Sequence, residues 1–136
     1  MAAFHKNKLF WGYWFPVVFY CAAIFVQSCY PSPDSLSSFP LGDKSLHFLA
    51  YAVMAGLFFR ALGKTRPQWR FLWIAILSVL LTTLYGVSDE FHQSFVAARM
   101  ADGLDILADF SGGIFGALCF FLALQVTGRK RIGIPD

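Results

Sequence analysis

Four apolar stretches divide the chain, and each approaches the 20 or so residues needed to cross a bilayer as a helix. They run from about Leu9 to Cys29, Asp43 to Leu62, Arg70 to Phe95 and Leu104 to Thr127. The apolar part of the third ends near Val87, and polar residues continue the helical pattern beyond it. The segments between them are "YPSPDSLSSFPLG", "GKTRPQWR" and "VAARMADG". The Pro and Ser content of the first reads as a loop. Pro16 falls inside the first stretch, where a bilayer tolerates it as a kink. The pattern predicts an all-α bundle of four transmembrane helices, with residues 1–136 forming one membrane domain.

Composition agrees with the pattern. Hydrophobic residues make up 57% of the 136 positions and charged residues 14%. Soluble domains carry roughly 25% charged residues, so this chain lacks the polar surface that water requires. Cys21, Cys29 and Cys119 show no CxxC spacing, and neither a disulfide framework nor a zinc ribbon is suggested. The first stretch is too long for the apolar region of a cleaved signal peptide, and no A-x-A site follows it. "VQSC" at 26–29 faintly resembles a lipoprotein box ending at Cys29, but Gln27 fits it poorly, so a retained helix is expected.

Charge then orients the bundle. Lys6, Lys8, Arg60, Lys64, Arg66, Arg70, Arg129, Lys130 and Arg131 would share one side of the membrane, and only Lys44 and Arg99 the other. Basic residues favour the cytoplasm, which places both termini inside a bacterial cytoplasmic membrane. The acids do the reverse: Asp34, Asp43, Asp89, Glu90, Asp102, Asp105 and Asp109 fall outward, and only Asp136 inward. Because the basic residues flank spans, nucleic-acid binding is excluded.

The outward acids are patterned. In the second stretch Asp43, His47 and Tyr51 recur at i, i+4, i+8 and share one helix face, with Lys44 beside it. In the third, Tyr85, Asp89, His92 and Gln93 follow i, i+4, i+7, i+8, and Glu90 lies about 100° round from Asp89. In the fourth, Asp102, Asp105 and Asp109 follow i, i+3, i+7 and lead into Gly112 and Gly116. At 1.5 Å per residue, Asp89 stands about 28 Å above Arg70, Asp109 about 30 Å above Arg129 and His47 about 25 Å above Lys64. All three therefore reach the outer boundary of a hydrocarbon core about 30 Å thick.

Some of these residues have plain alternatives. Lys44, Asp102 and Asp105 could be solvated helix ends, Asp43 and Asp102 could be N-caps, and Tyr51 and Tyr85 could be interface aromatics. His47, Asp89 and Asp109 are harder to dismiss, because an isolated charge within a span costs about 2.5–3.5 kcal/mol and such groups usually pair in the bundle interior. The expectation is an outward-facing polar pocket holding these three, with Arg99 folding back from a turn above the third helix to reach the acids. Gly112-x-x-x-Gly116 permits close helix approach, a packing role.

Three segments carry a family resemblance. "DKSLHFLAY" (43–51), "YGVSDEFHQSFVAAR" (85–99) and "DILADFSGGIFG" (105–116) resemble, in order and spacing, the signatures of the VanZ-like family of small bacterial membrane proteins. The resemblance covers Asp43 to Gly116. Two positions depart from the family pattern: Ala97 stands where Pro is frequent, and Asp109 where Asn is usual. The family's namesake accompanies glycopeptide-resistance genes and is linked to low-level teicoplanin resistance. The resemblance thus implies action at the cell envelope, without implying a reaction.

Two functions fit. The first is an accessory envelope protein that binds a lipid-linked, glycopeptide-type or protein ligand at the outer polar pocket and alters antibiotic susceptibility. The second is a small intramembrane enzyme acting on a lipid headgroup or lipid-linked glycan. In that case His47 and His92 could exchange protons, Asp89, Glu90 and Asp109 could act as bases, and Lys44 and Arg99 could clamp an anionic group. No nucleophile motif, phosphate loop or HExxH pair supports the enzyme. His47, Asp89, His92 and Asp109 are the metal-ligand candidates, and a divalent cation is compatible with them but not favoured by their spacing. The inner halves of the spans are apolar, which disfavours a channel. The lipid bilayer is the one certain partner, and oligomerisation is left open.

Overall fold

A computed structural model of the protein describes residues 7–30, 42–96 and 102–126. It contains four helices long and apolar enough to span a membrane: α1 (Asn7–Ser28), α2 (Gly42–Thr65), α3 (Phe71–Gln93) and α4 (Gly103–Val126). No strand occurs among the described residues. The helix bounds fall within three residues of the expected ones, because long apolar runs leave few other conformations open in a bilayer. Within α1, Phe10–Trp14 form a wider π-turn. It sits where Pro16 withdraws the N–H that would otherwise reach the Gly12 carbonyl. Asp43 occupies the first turn of α2 rather than its cap, and Lys64 the last, each matched to the helix dipole.

Packing is uneven. Half of α2's most apolar window is buried, against 6% for α1. The most extensive contact is between α2 and α4, which run parallel. Two glycines make it possible. A methyl group at Gly112 would overlap the Phe48 carbonyl, and one at Gly116 the Ala52 carbonyl, so the two backbones touch directly. α3 packs antiparallel against this pair. α1 lies outside, tied to α2 by the Tyr20 hydroxyl donating to the Ala50 carbonyl (3.1 Å) and by Arg60 over the Tyr13 ring (4.5 Å).

The two ends of the bundle differ. At the end carrying Arg60 and Lys64, the core is Phe59, Leu62, Ile74 and Ala117, with Phe71 and Phe120 against Phe59. At the other end, the core is polar: His47, Asp89, Glu90, Gln93, Asp105 and Asp109 are all buried. Val87, Phe91 and Phe95 face outward, as a lipid-facing surface requires. An apolar groove of about 550 Å³ also opens on that surface between α3 and α4, lined by Val79, Thr83, Phe110 and Ile114 among others.

Candidate functional site

The polar core is built by three helices. From α2, His47 Nδ1 lies 3.0 Å from Asp109 Oδ1 of α4. An ionised carboxylate only accepts, so the imidazole donates through Nδ1, and in its neutral form Nε2 keeps a lone pair. Nε2 faces Glu90 Oε1 of α3 at 3.9 Å, beyond hydrogen-bond range. One turn along α2, the Tyr51 ring stacks parallel to His47 at 5.9 Å, and its hydroxyl donates to Asp89 Oδ2 (3.2 Å). Gln93 Nε2 donates to the same oxygen at 2.9 Å.

A second layer closes the end of the bundle. Lys44 Nζ bridges Asp102 Oδ2 (2.5 Å) and Asp105 Oδ1 (2.9 Å), linking α2 to the start of α4. Asp102 is also the N-cap of α4: its Oδ1 accepts the Leu104 N–H at 2.9 Å. Its own N–H donates to Glu90 Oε2 (3.0 Å), which fastens α4 to α3. Asp102 and Lys44 are thus clasped rather than merely solvated. The Lys44 ammonium, and then the Leu104 N–H, hold the Asp102 carboxyl below the usual aspartate range. A depressed folded-state value means the clasp contributes fully above the ordinary aspartate range and is lost as pH falls through the lower folded value.

Helix geometry explains which expected residues join and which turn away. Taking Asp89 as zero, Gln93 and Glu90 lie at about +40° and +100° around α3, and Gly86 at about +60°. Tyr85 and His92 lie on the other flank, at about −40° and −60°. The positive flank faces α2 and α4. The negative flank faces α1: the Tyr85 hydroxyl donates to the Cys21 carbonyl (2.6 Å), and His92 Nε2 lies 3.4 Å from Cys29 Sγ. The His92 ring packs on Phe25 with 4.5 Å between ring centres. The structure thus places His92 against Cys29 and Phe25, on the flank away from His47, and Tyr85 meets the Tyr51 ring at 6.4 Å. Arg99 lies outside the described residues. The third helix ends at Gln93, and a hydrogen-bonded turn continues through Val96.

Gly86 escaped the sequence reading. A Cβ there would collide with the Asp109 side chain, so its lack of a side chain lets that carboxylate lie directly on the α3 backbone. The available signal was a glycine on the polar flank of α3, within "YGVSDE". Thr82, one turn further along, is fully buried, and its hydroxyl has no hydrogen-bond partner. The same holds for one oxygen each of Asp89 (Oδ1), Glu90 (Oε1) and Asp109 (Oδ2).

The cluster can hold cations, accept hydrogen bonds from a ligand and orient an imidazole; among the described residues it contains no serine or cysteine poised on His47. A family model described as VanZ/LLP1 matches residues 3–124, a span that includes all of these residues. No curated protein matches the chain, and no solved structure does.

Proposed function

The chain belongs to the VanZ/LLP1 family, and from that membership we propose that this multi-pass membrane protein acts in the bacterial cell envelope. In this reading it sits in the cytoplasmic membrane with both termini inside. It binds a lipid-linked or amphiphilic ligand of glycopeptide type at the acidic end of the bundle, and it thereby alters envelope access or antibiotic susceptibility. The observation that carries the reading is the polar core itself. His47, Asp89, Glu90 and Asp109 are at most 8% exposed, yet three of the carboxylate oxygens lack partners. Buried polar atoms without partners are rare, and a ligand's donors would satisfy them. An acyl chain of the same ligand would lie on the exposed apolar faces of the helices.

Susceptibility tests the reading. Cells expressing the protein should withstand an acylated glycopeptide better than a non-acylated one. Asp89→Asn and Glu90→Gln at equal membrane abundance should remove the difference. An unchanged response in both variants would end the ligand reading. Orientation is tested separately: a reporter active only outside the cytoplasm should be silent at Asp136 and active within 31–42. The reverse pattern would put the acidic end in the cytoplasm.

One observation favours the enzymatic alternative. His47 with Asp109 on Nδ1 is the arrangement of a general base and its orienting carboxylate. Turnover of extracted envelope lipids by the purified protein, abolished by His47→Gln, would support it over simple binding.

A further inference from the structure

We propose that Asp43, His47 and Asp105, with Glu90 beside them, bind one divalent transition-metal cation of the zinc or manganese class at the acidic end of the bundle. This set differs from the one that spacing suggested. It goes beyond the ligand-binding reading and stands without it.

Geometry supplies the first argument. One ligand atom from each of Asp43, His47 and Asp105 lies within 4.8 Å of the others. Asp43 and His47 are i, i+4 on α2, the separation at which a helix presents two ligands on one face. Metal bonds of about 2.1 Å to nitrogen and oxygen put ligand atoms a little over 3 Å apart. Small side-chain rotations would close the cluster to that size. Lys44 occupies Oδ1 of Asp105, and the other oxygen of that carboxylate is not engaged by it.

The second argument is orientation. A histidine that ligates a metal through one nitrogen usually donates the other N–H to a carboxylate, which fixes its tautomer and strengthens it as a ligand. Asp109, fully buried, does this to His47 Nδ1 at 3.0 Å. In the neutral imidazole that leaves Nε2 to ligate.

The third argument is independent of the cluster. Glu90 is 3% exposed, and its Oε1 has no hydrogen-bond partner. That oxygen lies 3.9 Å from His47 Nε2, on the side of the imidazole that Asp109 leaves open. In the neutral imidazole this buried carboxylate oxygen faces a nitrogen lone pair, which is repulsive, and a cation between them turns both into ligands. The charge count agrees. Four carboxyl groups at this end, Asp89, Glu90, Asp105 and Asp109, are buried. Buried charges need compensation, and a divalent ion supplies it. A mixed set of imidazole and carboxylates suits zinc or manganese better than magnesium or calcium, which prefer oxygen alone.

The test uses the full chain in detergent, free of affinity histidines and stripped with a chelator. Cobalt(II) is titrated in, followed by absorption spectroscopy, and zinc is then added to displace it. One equivalent of cobalt should bind with nitrogen–oxygen spectra and be displaced by zinc. Asp43→Asn and Glu90→Gln should each weaken binding at least about tenfold, the scale on which loss of a supporting group at a metal site is felt. Thermal melting of each variant confirms that it is folded. His92→Gln and Cys29→Ser lie outside the site and should bind as the parent does. Failure of the parent to take up an equivalent overturns the proposal. So does a thiolate-to-cobalt charge-transfer band lost in Cys29→Ser, which would move the ion to the Cys29–His92 pair. No lipid ligand is present in the experiment, so its failure removes the cation and not the ligand reading.

Discussion

Alanine at Gly116 is expected to destabilise the bundle by about 3 kcal/mol or more, the upper part of the range for overpacking a well-packed core. The added methyl would land on the Ala52 carbonyl, which is backbone within a helix and cannot rotate away. α2 and α4 would have to separate. Gly112→Ala should behave alike, because the Phe48 carbonyl occupies the corresponding place. The neighbouring glycines provide the contrast. At Gly113 a new methyl would meet Thr82 Cγ2 at 3.5 Å, and at Gly56 it would meet Phe120 Cδ2 at 3.9 Å, both ordinary contacts. Gly113→Ala and Gly56→Ala should be neutral or stabilising by up to about 1 kcal/mol, the gain from placing alanine in a helix. Unfolding in mixed detergent micelles reads all four. A Gly116→Ala protein as stable as the parent would show that the two backbones do not meet there. The same pair of glycines governs the site, because the α2–α4 spacing sets the distance between His47 and Asp109. Gly112→Ala should therefore also weaken whatever the polar core binds.

The spans were legible because about 20 apolar residues in a row have one stable form in lipid. The Asp43, His47, Tyr51 stripe was legible for a related reason: steps of four keep residues on one helix face, and α2 is central enough that this face is interior. Asp89, Glu90 and Gln93 are buried on the flank of α3 that faces α2 and α4. What periodicity cannot show is where a neighbouring helix stands. Tyr85 and His92 fit the α3 stripe as well as Gln93 does, yet they lie on the flank that α1 covers. The direct contact of α2 with α4, parallel and two steps apart in the chain, was likewise hidden. Gly112-x-x-x-Gly116 announced a close approach without naming its partner. Gly86 was silent because its function is an absence, room for a carboxylate that comes from another helix. Spacing along single helices pointed to His47, Asp89, His92 and Asp109 as metal-ligand candidates. The three-dimensional cluster is Asp43, His47 and Asp105, drawn from α2 and α4, and no one-dimensional pattern contains it.

His47→Leu is expected to destabilise the folded protein by about 3–5 kcal/mol, the cost of breaking a buried pair from one side. Asp109 is 0% exposed, its Oδ1 accepts from His47 Nδ1, and its Oδ2 has no hydrogen-bond partner among the described residues. Removing the imidazole would take the Nδ1 donor from a fully buried carboxylate between α2, α3 and α4. Asp109→Leu should cost less. Leucine has nearly the branching of aspartate, and the group left behind is a single imidazole N–H, for which an unsatisfied donor costs about 1–3 kcal/mol. It also lowers the count of acids around Lys44. The decisive measurement is the double variant His47→Leu/Asp109→Leu. Replacing both partners by apolar groups of similar shape removes the orphan left by either single change. The double variant should therefore be more stable than His47→Leu alone, with a coupling of at least about 1.5 kcal/mol, well above the few tenths seen between independent sites. Asp109→Asn, which places the usual family residue at this position, keeps an acceptor for Nδ1 and should stay within about 1 kcal/mol of the parent, the net worth of one hydrogen bond. Simple additivity of the two leucine substitutions would show that His47 and Asp109 do not hold each other, and the orientation of Nε2 toward Glu90 would then have no support. A double variant that is stable but no longer binds cobalt or ligand would separate the two roles of this pair: dispensable for folding, required for the site.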